Sequence, residues 1–135
     1  MENRVGRVNI AVGLSVMAGF MVYGFFIIYM RDFHPNKEAW VAASHLGEHF
    51  ESKLAHVHGN LFSILNIVFG YLLLTLPIAD NYAKWVSRFA LAGLLMPIGI
   101  MAEVYLGVPF YLVLVGALSI IIATVLLAVG VWKMK

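Results

Sequence analysis

Four long apolar runs dominate the hydrophobic pattern of this chain, at residues 8–30, 54–76, 85–106 and 110–132. A helix needs about twenty apolar residues to cross a hydrocarbon core of roughly 30 Å, so each run is long enough to span a bilayer. The pattern therefore predicts an all-α integral membrane protein. We expect residues 1–135 to form a single four-transmembrane-helix bundle, with a polar loop at 31–53. The first run follows the basic segment MENRVGR but contains no small-residue cleavage site, so it reads as a retained helix rather than a signal peptide. Pro97 lies in the middle of the third run and predicts a bend there.

Composition agrees with this pattern. The chain is 62% hydrophobic and 12% charged, with a mean hydropathy of +0.90, a balance that a soluble domain of this size could not cover with polar surface. Cysteine is absent, which excludes disulfides, thiolate metal sites and a cysteine nucleophile. The formal net charge is +2 and the basic residues are scattered over segment ends, so no nucleic-acid partner is expected.

Loop charge sets the expected orientation. Arg4, Arg7, Lys84, Arg88, Lys133 and Lys135 fall on one side, whereas Arg31, Lys37 and Lys53 share the other with Asp32, Glu38, Glu48 and Glu51. By the positive-inside rule both termini are cytoplasmic and the 31–53 loop is outside. We expect the inner or plasma membrane of a bacterium or archaeon. Ser15, Gly19 and Gly24 in the first span, and Gly116, Ser119 and Ala123 in the fourth, have the small-residue spacing that lets helices approach closely in lipid. They suit packing within the bundle or in a homo-oligomer.

The chemistry concentrates near one end of the second span. All five histidines lie between His34 and His58. Residues 37–53 hold no strong breaker except Gly47, and we expect a helix there running on into the second span. On such a helix His45 and His49 are one turn apart and fit a second metal, Cu or Zn; with Glu48 they also match the short H-x-x-E-H pattern of inverted zinc peptidases. His56 and His58 are separated by about 200° on a helix and must face opposite sides. Asn60 shares the His56 face one turn deeper, Ser63 continues that stripe, and Asn66 lies about 80° from it. Glu103, Tyr105 and Tyr29 are expected at similar depth.

Ionisable residues inside membrane spans mark functional sites by default. With imidazoles as donors and a bundle that can enclose a flat apolar cofactor, haem b is the expected cofactor, its iron held by His58 or His56, with Glu103 nearby. The chain would then be an enzyme, or a cytochrome-like electron-transfer or gas-reactive (O2 or NO) protein. A third reading is an accessory membrane subunit with Cu or Zn at its loop.

Two resemblances bear on this. His56, His58 and Asn60 resemble the H-x-H-x-N element of haem-copper oxidases and related small membrane proteins. Over most of its length the chain also resembles styrene oxide isomerase, through Pro35, Glu38, Ala39 and Trp40, the histidine-led second span, Leu76-Pro77, Ala79-Asp80 and Tyr105. That resemblance implies a trimer with haem b between subunits, whose ferric iron acts as Lewis acid on the epoxide of a small hydrophobic substrate to give an aldehyde. It implies His58 or His56 as axial ligand, Asn66 or Asn60 as the assisting amide and Tyr105 as the assisting phenol. The chain departs from that family in a longer histidine-to-asparagine interval, a second histidine, Glu103 and a shorter C-terminal region.

Overall fold

The computed structural model describes residues 4–134. Six helices follow in order: α1 (Arg4–Asp32), α2 (Lys37–Ala42), α3 (Gly47–Thr75), α4 (Asp80–Gly93), α5 (Leu95–Leu106) and α6 (Tyr111–Trp132). Among the described residues there is no strand. Four stretches are long and apolar enough to cross a membrane: Val5–Asp32, Gly47–Thr75, Asp80–Leu106 and Tyr111–Trp132. The third combines α4 and α5. Large apolar side chains such as Phe25, Val22, Leu118 and Ile121 stand exposed on the outside, which suits contact with a lipid bilayer.

Close backbone approach joins α1 to α3. A Cβ on Gly6 would strike the Gly70 carbonyl, and one on Gly13 would come within 2.8 Å of the Ser63 carbonyl. Lipid tails offer no hydrophobic force between helices, so such intimate contact carries the packing. Gly6 and Gly13 do this work on α1. Gly19 instead faces open space, and Ser15 is exposed with its hydroxyl turned back to the Ala11 carbonyl. On α6, Gly116 lies against the Met96 backbone, and Ser119 and Ala123 are buried within the bundle. Small residues on the fourth span thus serve internal packing.

The break in the third span lies just upstream of its proline. Pro97 has no N–H to donate to the Gly93 carbonyl, and the Leu94 N–H turns to Leu91, three residues back. The helix restarts at Leu95, which leaves Pro97 in the first turn of α5, where a missing N–H costs least.

One expectation needs correction. The helix expected over 37–53 is interrupted: α2 ends at Ala42, residues 43–46 form turns, and α3 starts at Gly47 with φ +71°, a left-handed conformation that suits glycine. From Gly47 onward the helix does continue into the second span. The half of the bundle nearest the termini also holds polar side chains. Asn9, Asn66 and Ser87 form a buried cluster joining α1, α3 and α4.

Candidate functional site

α3 carries the histidines. Its buried stripe includes Ser52, Ala55, Gly59, Phe62, Ser63, Asn66 and Leu73, which at about 100° per residue form one face. His56 and His58 flank that face on opposite edges, and both are half-buried.

His56 turns toward α1. Its ring lies over Gly24, where an added Cβ would sit 2.8 Å from Cε1, so glycine makes room for the imidazole. Nδ1 is 2.8 Å from the carbonyl oxygen of Phe20. A carbonyl can only accept, so Nδ1 carries the proton, and in the neutral ring Nε2 keeps its lone pair. Metal-binding histidines are commonly oriented this way, with the second ring nitrogen donating to a carbonyl. His56 lines a groove of about 510 Å³ between α1 and α3, together with Met21, Gly24, Phe25, Lys53 and Val57. Lys53 donates to the Ser44 carbonyl at 2.8 Å, which leaves two of its ammonium protons for other acceptors.

His58 has the same tautomer by a different route. Its Nδ1–H donates to the Leu54 carbonyl of its own helix at 2.9 Å, and its ring meets the edge of Phe62. His58 lines neither that groove nor the one between α1 and α5. Asn60 donates to the His56 carbonyl at 2.9 Å, so its amide is tied to the turn above it.

Asn66 is fully buried. Its amide donates to the Phe62 and Ala90 carbonyls and its oxygen accepts from Asn9. Ser87 in turn donates to Asn9. Asn66 thus clamps three helices together, some way from either histidine.

Tyr105 is the centre of a second polar group. Its hydroxyl is 2.7 Å from that of Ser52 and 2.8 Å from that of Tyr23. Ser52 also interacts with the Tyr23 hydroxyl, so the three hydroxyls form one mutually bonded group. Tyr23 and Tyr105 close one end of a groove of about 570 Å³ between α1 and α5, whose walls include Val16, Phe20 and Met101, with Gly19 among its lining residues. The rings of His56 and Tyr23 are 6.4 Å apart, but the two grooves open on different sides of α1.

The remaining candidates scatter. Glu103 is exposed on α5 and makes no ion pair among the described residues, where Arg31 with Asp32 forms the one such pair. Tyr29 packs edge-on against His34. His49 is buried, stacked on Trp40 at 4.8 Å, with Nδ1 held by the Trp40 carbonyl at 2.7 Å. His45 is exposed in the turn before α3, so the two do not stack one helical turn apart. Among the described residues no group of three or more His, Cys, Asp or Glu side chains is placed to hold a metal ion.

Sequence reading missed Tyr23, Ser52, Asn9 and Ser87. Ser52 carried a usable signal, lying one turn before His56 on the same face. Tyr23 follows Phe20 by three residues and shares its face, which places it toward α5 once α1 is packed. No protein-family model, no curated protein and no solved structure matches this chain.

Proposed function

We propose that this chain is an integral membrane protein that binds haem b, with His56 as the residue holding the iron. The observation that carries the reading is the His56 imidazole, locked by the Phe20 carbonyl so that its Nε2 lone pair is available at an apolar groove. The residues fit the group: a neutral nitrogen donor, walls of Met21, Phe25 and Val57 for a flat apolar face, and the Lys53 ammonium for carboxylates. Bound haem would supply a redox-active or Lewis-acidic iron at that position. Gly24 leaves space for the imidazole, and Phe20 fixes its tautomer and direction. The groove is open on its outer side, which suits closure by a second copy in a homo-oligomer.

Purified protein, expressed with ample haem supply, should show a Soret band in detergent solution. Absence of that band would overturn the reading.

A second reading, epoxide isomerisation, draws on the hydroxyl trio. Tyr105 and Tyr23 present hydroxyls at one end of an apolar groove, donors that the oxygen of a small hydrophobic epoxide would use. His56 and Tyr105 line different grooves, so this reading needs the iron ligand and the phenol to come from two protomers. Turnover of an aryl epoxide to the aldehyde by the purified protein tests it. An electron-transfer role would instead give a low-spin haem spectrum and no turnover.

A further inference from the structure

At the end of the bundle near the termini, α1 and α4 leave a crevice of about 330 Å³ lined by Val5, Val8, Lys84, Ser87 and Arg88. The Ser87 hydroxyl is committed to Asn9, so the polar groups that the crevice offers are the two cations. Lys84 and Arg88 are four residues apart on α4 and project from one face, with Cβ atoms about 5–6 Å apart. Neither has an anionic partner: among the described residues Arg31 with Asp32 forms the one ion pair, and Asp80 makes none with Lys84. The Arg88 guanidinium rests 5.1 Å from the centre of the Trp85 ring, which holds it along the helix. Trp85 is itself 46% exposed and stacked on Phe89, the arrangement of an amphipathic ring at a membrane surface. Val5 and Val8 supply an apolar wall beside the charges.

Two cations with no ion pair among the described residues, above an apolar wall, match a phosphodiester with acyl chains below it. Lys133, by contrast, does not line the crevice, and its ammonium donates to the Tyr82 hydroxyl at 2.8 Å. We propose that the α1–α4 crevice binds the headgroup of an anionic phospholipid, with Lys84 and Arg88 on the phosphate and Val5 and Val8 along the chains. Basic pockets between membrane helices take anionic headgroups for this reason. The site is independent of the haem reading, since it shares no residue with it.

Thermal unfolding of the full chain in neutral detergent, titrated with phosphatidylglycerol, phosphatidylcholine or inorganic phosphate, tests the proposal. Phosphatidylglycerol should raise the midpoint at concentrations where the other two do not. Each of Lys84→Gln and Arg88→Gln should weaken the apparent affinity about five-fold, whereas Lys133→Gln should leave it unchanged. An equal shift with phosphatidylcholine would mean that acyl chains alone bind, and an equal shift with phosphate would mean that a free anion is the ligand. Either result overturns the proposal, as does full phosphatidylglycerol response in the Lys84→Gln, Arg88→Gln double variant. Should that variant fail to fold, the three-way comparison on the unaltered protein still decides.

Discussion

The imidazole of His56 donates from Nδ1 to the main-chain oxygen of Phe20 at 2.8 Å, crossing from α3 to α1 one helical turn before Gly24. The hydrogen bond settles which nitrogen keeps its lone pair, and the glycine settles whether the ring can lie there at all. Both conditions come from α1, although the histidine belongs to α3.

Gly24→Ala should therefore disturb the site without touching its donor. The new Cβ would meet Cε1 at 2.8 Å and push the imidazole out of line. Loss of an orienting contact commonly costs 10–100-fold in metal affinity, and haem content at limiting haem should fall by roughly ten-fold or more. Helix content by circular dichroism should be unchanged. Normal haem content in this variant would argue against the placement of the ring.

Asn66→Leu tests the buried clamp. The substitution strips an acceptor from Asn9 and a donor from the Ala90 carbonyl inside the bundle. Each orphaned buried group costs about 1–3 kcal/mol, so the thermal midpoint in detergent should drop by several degrees. The folded fraction should still carry haem. An unchanged midpoint would show that these hydrogen bonds are not what holds α1, α3 and α4 together.

Tyr105→Phe removes one hydroxyl of the trio and its hydrogen bonds to both Ser52 and Tyr23. Haem absorption should persist, because the phenol lies in the other groove. If the protein isomerises epoxides, losing a positioned donor should slow turnover about 10²–10³-fold. A fully active Tyr105→Phe enzyme would remove the phenol from the account.

The four long helical stretches were readable from the apolar runs alone because span length follows from bilayer thickness, and each run overlaps one stretch that is long and apolar enough to cross a membrane. Which small residues pack was less legible. Gly6 and Gly13 touch α3 while Gly19 does not, and nothing in the one-dimensional spacing distinguishes them; the difference lies in which side of α1 meets a neighbour. Helical periodicity did place His56 and His58 on opposite edges of the buried face. It misread His45 and His49, because the single Gly47 that the pattern tolerated adopts a left-handed conformation and starts a new helix. Glu103 and Tyr105 lie two residues apart and at similar depth, yet depth says nothing about azimuth. Tyr105 turns inward to Ser52, and Glu103 faces out. Ser52 and Tyr23 were missed because pairing between helices is set by packing rather than spacing.

The most direct test of the His56 assignment is the absorption spectrum of His56→Ala and His58→Ala proteins purified side by side with the unaltered chain. The account predicts a Soret band in the unaltered protein and in His58→Ala, and its loss in His56→Ala with recovery on adding free imidazole. Haem retained in His56→Ala but lost in His58→Ala would contradict it.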